Sequence, residues 1–245
     1  MRQLVRGVHR FRERVYEPNR ALYQRLADGQ QPHTLFITCA DSRLDPEALT
    51  ESGPGDIFVL RNAGNLVPPF GAGRGGEAAT VEYAVAGLGV GHVVVCGHTG
   101  CGAMRALLDP QSLDDLPETA RWLRHAEATR RIARAGPRPL GTAALWDALV
   151  EVNVLVQLEH LRTHPAVAAA LAQGGLKLYG WVFDLRTGEV RNFDQARGAF
   201  VPLPGGPDVA ADLPSAVTAP LRAARLGDET DDRGANGDSR HFTRT

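Results

Sequence analysis

Apolar residues recur along this chain in short runs and in helical stripes, separated by clusters of glycine, proline and polar residues. Short runs rich in Val, Ile, Leu and Phe have the length and composition of buried strands. They are residues 33–39, 56–60 and 92–97, with a last strand or hairpin over 177–193. Helical patterns separate most of them, so we predict an α/β fold with a mostly parallel central sheet of about five strands flanked by helices.

Both ends of the chain differ from this pattern. Leu4, Val8, Phe11 and Val15 recur at helical spacing and predict a helix with one apolar stripe. Such a stripe must bury against the protein's own core or against a second subunit. We therefore predict an N-terminal helical arm over 1–30 that packs in an oligomer, an α/β domain over 31–204, and a disordered tail over 205–245, where apolar periodicity ends.

Composition narrows the function classes. The 245 residues include 27 Lys and Arg against 28 Asp and Glu, so no charge excess favours nucleic acid or an anionic membrane as the main partner. No apolar stretch approaches the roughly 20 residues of a membrane helix. The first residues lack the apolar core of a secretory signal. Three cysteines cannot form a disulfide framework and fit a reducing compartment. We expect a cytoplasmic protein.

Candidate metal ligands follow two of the predicted strands. Cys39 ends one strand, and His98 and Cys101 follow another with His-x-x-Cys spacing. Loops past the carboxyl ends of parallel strands carry the active sites of such folds. Two thiolates and one imidazole suit Zn²⁺, and three protein ligands leave a fourth tetrahedral position for water or substrate. Cys96 shares strand parity with His98, but its Val-rich surroundings favour a buried, inert thiol.

Asp41 and Arg43 add a carboxylate and a guanidinium beside Cys39. If the backbone stays extended, Asp41 points to the same side as the cysteine. A carboxylate there accepts a hydrogen bond from zinc-bound water or binds the zinc itself, and Arg43 can clamp it with two parallel hydrogen bonds. The plainer alternative is a surface ion pair in a turn.

These segments resemble the β-class carbonic anhydrases in residue type, order and separation. The resemblance rests on Cys39–Arg43, Arg61–Asn65 and Gly97–Gly102, and extends from about residue 5 to 195. It implies that the chain is a carbonate dehydratase, which interconverts CO₂ and bicarbonate. It further implies a mostly parallel sheet flanked by helices, an N-terminal helix that embraces a second subunit, and hence a homodimer or homotetramer.

The resemblance also assigns roles to individual residues. Cys39, His98 and Cys101 would bind one zinc per subunit, and Asp41 with Arg43 would be a catalytic dyad that orients zinc-bound hydroxide toward CO₂. The substrate pocket would be formed by Gln30, Phe58, Ala63, Tyr83 and Gly102. Among these, Gln30 would reach the partner subunit's site, Phe58 and Tyr83 would be aromatic walls, and the Gly102 N–H would face a substrate oxygen.

Several alternatives stay open at this point. The same chemistry could hydrolyse carbonyl sulfide or carbon disulfide, or the zinc could be structural, with Asp41 closing the site. Residues 71–76 satisfy G-x-G-x-x-G before a helix, as in nucleotide-binding proteins, but prolines and not a strand precede them. His160 and His164, at i and i+4, could form a metal pair; we expect them instead to face the helix dipole and solvent.

Overall fold

The computed structural model describes residues 1–72, 75–135 and 141–205, and within them one six-stranded sheet surrounded by helices. The strands are β1 (Thr34–Cys39), β2 (Ile57–Asn62), β3 (His92–His98), β4 (Lys177–Phe183), β5 (Val190–Asp194) and β6 (Ala199–Pro202). The α-helices are α1 (Arg2–Phe11), α2 (Arg20–Ala27), α3 (Pro46–Thr50), α4 (Gly76–Glu82), α5 (Gly102–Ala106), α6 (Pro117–Leu123), α7 (Glu127–Arg134), α8 (Thr142–Arg162) and α9 (Pro165–Ala172). Single π-helical turns, Arg12–Tyr16 and Tyr83–Gly87, extend α1 and α4.

The sheet has the strand order β2-β1-β3-β4-β5-β6. The first four strands are parallel, and the β4–β5 and β5–β6 pairs are antiparallel. This confirms the predicted mostly parallel α/β fold, with six strands where about five were expected. The strand that the sequence pattern did not indicate is β6, which has only four residues and ends in Pro202. So short an edge strand has too few residues to show an alternating pattern.

The long helix α8 packs across the middle of the sheet, with eleven of its residues buried. Its close approach depends on two glycines that face it, Gly97 in β3 and Gly180 in β4. A Cβ atom at either position would lie 2.9 Å from a methyl group of Val154. Because interiors are closely packed, these glycines let the helix lie directly on the strands that carry the candidate ligands.

The N-terminal arm leaves its apolar stripe uncovered within one chain. Leu4 and Val8 are 68% and 67% exposed, and Phe11 and Val15 are also exposed. The chain's own core therefore does not bury the stripe, which was the first of the two predicted possibilities. No helix among the described residues is long and apolar enough to cross a membrane. The predicted tail, apart from Gly205, lies outside the described residues, so its disorder stays a prediction.

Candidate metal centre

The ends of two neighbouring parallel strands bring the three predicted ligands together. Cys39 is the last residue of β1 and His98 the last of β3, while Cys101 lies directly before α5. The strands pair in parallel, with Thr38 opposite Cys96, so both end at one edge of the sheet. The two sulfurs and a ring nitrogen of His98 all lie within 4.8 Å of one another. Among the described residues, this is the group of His, Cys, Asp and Glu side chains placed to hold a metal ion.

The spacing and orientation of these atoms suit a zinc ion. The Cys39 and Cys101 sulfurs are 4.0 Å apart, close to the separation of about 3.8 Å that two 2.3 Å Zn–S bonds in tetrahedral geometry require. The Nδ1–H of His98 donates to the carbonyl oxygen of Thr99 at 3.0 Å. In a neutral imidazole this leaves the lone pair on Nε2, which is the arrangement of a metal-binding histidine.

The Nε2 atom of His98 is the clearest sign that a ligand belongs here. The side chain is fully buried, and no hydrogen-bond partner among the described residues reaches Nε2. A buried polar atom without a partner costs free energy, so such atoms are rare unless a water or an ion satisfies them. The donor set therefore fits a metal, because two sulfurs and one unsatisfied nitrogen converge on one point.

The two thiols are coupled through their contact. The hydrogen bond from Cys101 lowers the pKa of Cys39 well below its usual value, and the Gly64 N–H, 3.4 Å from the Cys39 sulfur, contributes in the same direction. The same contact raises the pKa of Cys101. A divalent cation bound by the two sulfurs would stabilise both thiolates, which are the forms that bind metals.

Asp41 and Arg43 form the clamp that their spacing predicted. Arg43 donates from Nε to Asp41 Oδ1 at 2.9 Å and from Nη2 to Oδ2 at 2.7 Å. These bonds hold the pKa of the Asp41 carboxyl well below its usual range. Asp41 Oδ2 also lies 3.8 Å from His98 Nε2. The pair therefore borders the metal ligands, and the carboxylate stays ionised with both oxygens engaged by Arg43.

A second arginine, which the sequence analysis left without a role, holds the turn between Cys39 and Leu44. Arg61 donates from Nε to the Cys39 carbonyl at 3.1 Å, and from Nη2 to the carbonyls of Asp41 and Leu44 at 2.7 and 2.8 Å. Its position opposite Thr38 in the β1–β2 pair, beside Cys39, is the signal that would have identified it. By satisfying three carbonyls, Arg61 fixes the backbone that carries the first ligand and Asp41.

The five predicted pocket residues fall into two separate places within one chain. Ala63 directly follows β2, and Gly102 directly follows Cys101 as the first residue of α5. Phe58 and Tyr83 contact each other, with ring centroids 6.0 Å apart. Phe58 pairs with Leu35, whereas Asn62 pairs with Cys39, so Phe58 lies four strand positions, about 13 Å, from the metal ligands.

Gln30 belongs to the second of these places. It lines a cavity of about 500 Å³ together with Tyr83, Leu26, Gly55 and Leu88. The cavity lies near the amino-terminal ends of β1 and β2, since Gln30 and Gly55 precede those strands. One chain therefore does not bring Gln30, Phe58 and Tyr83 to its own metal ligands.

Three further sequence predictions have definite outcomes. Cys96 is fully buried, burial raises its pKa to about 12, and it lies outside the group of candidate ligands, which confirms the predicted burial of this thiol. No strand lies within residues 63–72 ahead of the glycine-rich segment, so the strand–loop–helix context of a dinucleotide site is missing there. The expectation that His160 and His164 face solvent was wrong: their rings donate to the carbonyls of Val67 and Pro68 at 2.8 and 3.0 Å, because the loop before α4 covers them.

The chain is similar in sequence and in fold to proteins that are already known. The family model described as carbonic anhydrase matches residues 34–190. A carbonic anhydrase of Pseudomonas aeruginosa is 50% identical over 211 residues, covering 86% of this chain and 96% of that protein. A solved structure of the β-carbonic anhydrase CcaA is 43% identical, with a TM-score of 0.81 over 84% of this chain and 92% of that chain. A tetrameric β-carbonic anhydrase of Sordaria macrospora is 28% identical, with a TM-score of 0.68 over 78% and 95%.

Proposed function

Because this chain belongs to the β-carbonic anhydrase family, we propose that it hydrates CO₂ reversibly to bicarbonate and a proton at one zinc ion per subunit. The ligands are Cys39, His98 and Cys101. The observation that carries the proposal is the fully buried His98 Nε2, which faces two sulfurs without a hydrogen-bond partner among the described residues. Thiolate and imidazole ligands together favour zinc over magnesium, calcium or manganese.

The number of ligands supports a catalytic site over a structural one. Structural zinc sites have four protein ligands, whereas catalytic sites have three and leave a position for water or substrate. The Asp41 carboxylate borders the triad, with Oδ2 3.8 Å from His98 Nε2, and Arg43 engages both of its oxygens. Zinc in this position supplies Lewis acidity, which allows water to react as a nucleophile near neutral pH.

Asp41 and Arg43 would orient the reacting water. The Asp41 carboxylate remains ionised across the neutral range, since Arg43 holds its pKa low. It therefore acts as a hydrogen-bond acceptor for the water proton and directs the oxygen lone pair toward the carbon of CO₂. Arg43 also donates to the Gly100 carbonyl at 3.1 Å, which ties the dyad to the loop carrying Cys101.

The remaining pocket residues support a site shared between subunits. Phe58 lies about 13 Å along the sheet from its own chain's ligands. Tyr83 contacts Phe58, and Gln30 lines a cavity with Tyr83. We propose that they line the site of a second copy, where the aromatic rings offer an apolar surface to CO₂ and Gln30 donates to the bicarbonate oxygens. Ala63 and the Gly102 N–H would complete that pocket from the chain that holds the zinc.

The same partner would cover the N-terminal arm. Residues 1–30 would then be an oligomerisation arm and residues 31–204 the catalytic domain. A homodimer buries the exposed stripe of Leu4, Val8 and Phe11, because large exposed apolar surfaces mark protein interfaces. Assembly of two such dimers would give a tetramer, the state of the Sordaria macrospora relatives.

A combined metal and activity measurement tests the proposal. Purified protein should contain about one zinc per chain and accelerate CO₂ hydration in a stopped-flow assay with a pH indicator. Carbonyl sulfide hydrolysis, measured on the same sample, should be much slower. Zinc-loaded protein that turns over carbonyl sulfide but not CO₂ would reassign the substrate, and zinc-loaded protein inactive with both would support a structural zinc site.

A further inference from the structure

A stripe of polar side chains on the buried helix α8 binds the backbone of the loop that follows β2. Asn153, Gln157 and His160 occur at i, i+4 and i+7, and the first two are 1% and 0% exposed. Asn153 Nδ2 donates to the Gly64 carbonyl at 2.9 Å, and Gln157 Oε1 accepts from Val67 N at 2.8 Å. The helix thus holds the loop by its peptide groups and not by apolar contact alone.

Two donors fix the orientation of the Asn153 amide. Its Oδ1 accepts from Thr129 Oγ1 at 3.2 Å and from Gln157 Nε2 at 3.0 Å. With the oxygen so occupied, the Nδ2 group must face the Gly64 carbonyl. All three side chains are buried, so each unsatisfied group in this network would cost free energy.

The loop held in this way carries a hydrogen-bond donor to a metal ligand. The peptide between Ala63 and Gly64 directs its N–H at Cys39 Sγ, 3.4 Å away, and its carbonyl accepts from Trp122 Nε1 at 2.8 Å. Gly64 has φ +81°, a left-handed conformation that glycine adopts without strain. Trp122 therefore holds the peptide before Gly64, and Asn153 holds the peptide after it.

We propose that Trp122 and Asn153 are positioning residues that keep the Ala63–Gly64 N–H aimed at Cys39 and so set how firmly this ligand holds the metal. The inference rests on the proposed function, because it concerns a metal bound by Cys39. A fixed donor limits the orientations of the thiolate before the metal arrives, and a carbonyl that itself accepts a hydrogen bond polarises its N–H. Outer partners of this kind typically change metal affinity about 10- to 100-fold.

Zinc release and cobalt spectroscopy on the full chain test this role. The variants are Trp122→Phe, which removes the N–H donor and keeps an aromatic ring, and Asn153→Leu, which removes the contact to Gly64. Thr129→Val is the matched control, since it removes one buried hydrogen bond from the same network and leaves Gln157 to orient Asn153. The readouts are the rate of zinc transfer to a chromogenic chelator and the sulfur-to-cobalt charge-transfer band of the Co²⁺-loaded protein.

We expect Trp122→Phe and Asn153→Leu to release zinc about 10- to 100-fold faster and to shift the charge-transfer band. Thr129→Val should stay within about twofold of wild type with an unchanged band. If Asn153→Leu does not fold, the zinc release rate and the charge-transfer band of Trp122→Phe still test the inference. Wild-type release rates and bands in the test variants, or an equal change in Thr129→Val, would overturn the inference. A wild-type protein that takes up neither metal would instead overturn the proposed function itself.

Discussion

The two edges of the sheet differ in how far a single chain supplies hydrogen bonds to the backbone and covers the apolar side chains there. At the carboxyl edge, the backbone around Cys39 and Cys101 is hydrogen-bonded by Arg61, Trp122 and Trp146, the last donating to the Cys101 carbonyl at 2.9 Å. At the amino edge and on the arm, large apolar side chains remain exposed, among them Tyr83 at 52% and Leu4 at 68%.

This difference separates what one chain supplies from what it takes from a partner. Metal ligands require fixed positions within a few tenths of an ångström, which a single folded chain provides by hydrogen bonds to its own loops. The walls of a substrate pocket require only an apolar surface of the right shape. We therefore infer that the metal site is built within each chain and the pocket is closed by a second copy.

The largest effect is expected from removing a ligand at the carboxyl edge. Cys101→Ser should leave the protein with little zinc and reduce CO₂ hydration to the uncatalysed rate, because a neutral hydroxyl replaces a thiolate ligand. Metal content and stopped-flow hydration measure both effects. Cys96→Ala is the control: this thiol is buried and lies outside the group of candidate ligands, so the variant should keep its zinc and its activity, and loss of zinc in it would contradict the assigned ligand set.

The next largest effect concerns the dyad at the same edge. Asp41→Asn should keep zinc and lose about 10²- to 10⁴-fold in kcat/KM, the usual contribution of a positioned proton acceptor. Asp45→Asn is a matched control in the same loop, since asparagine can still accept the Ala48 N–H that caps α3. Full activity in zinc-loaded Asp41→Asn would remove this carboxylate from the mechanism.

Mixed oligomers test directly whether the metal site and the pocket that closes it come from different chains. Cys101→Ser lacks a metal site, and the double variant Gln30→Ala with Tyr83→Ala lacks the amino-edge pocket. Co-refolding them in equal amounts should restore about one quarter of wild-type activity, because half of randomly paired dimers contain one intact site. A mixture no more active than its components would show that each chain closes its own pocket.

The smallest of these effects is expected on the arm. Val8→Glu places a charge in the exposed apolar stripe and should shift the protein to smaller assemblies, measured by light scattering during size-exclusion chromatography. Arg10→Glu alters the opposite face of α1 and should leave the mass unchanged. If both variants retain the wild-type mass, a different surface holds the subunits together.

The sequence predicted the parts of this molecule whose signals are local. Strand runs and their terminal residues located Cys39, His98 and Cys101, and the spacing of Asp41 and Arg43 anticipated their clamp. The valine-rich run also favoured a buried thiol at Cys96 over a ligand, and Cys96 is buried and lies outside the ligand group. In each case the chemistry lies within a few positions of a strand end, where parallel topology brings side chains together.

The parts that the sequence did not reveal depend on contacts between distant positions. Asn153 lies 89 positions from Gly64, and Trp122 lies 59 from Ala63, so no local pattern connects them. His160 and His164 were expected to face solvent because nothing in the chain indicates that residues 67 and 68 cover them. Likewise, only the register of β1 and β2 shows how far Phe58 lies from the ligands.

The most direct test of the account is to follow CO₂ hydration while a chelator removes zinc from the wild-type protein and zinc is then restored. If Cys39, His98 and Cys101 hold the ion on which the reaction depends, the rate should fall in proportion to the zinc remaining per chain and recover when about one equivalent is returned. An undiminished hydration rate in folded protein that has lost its zinc would contradict the account.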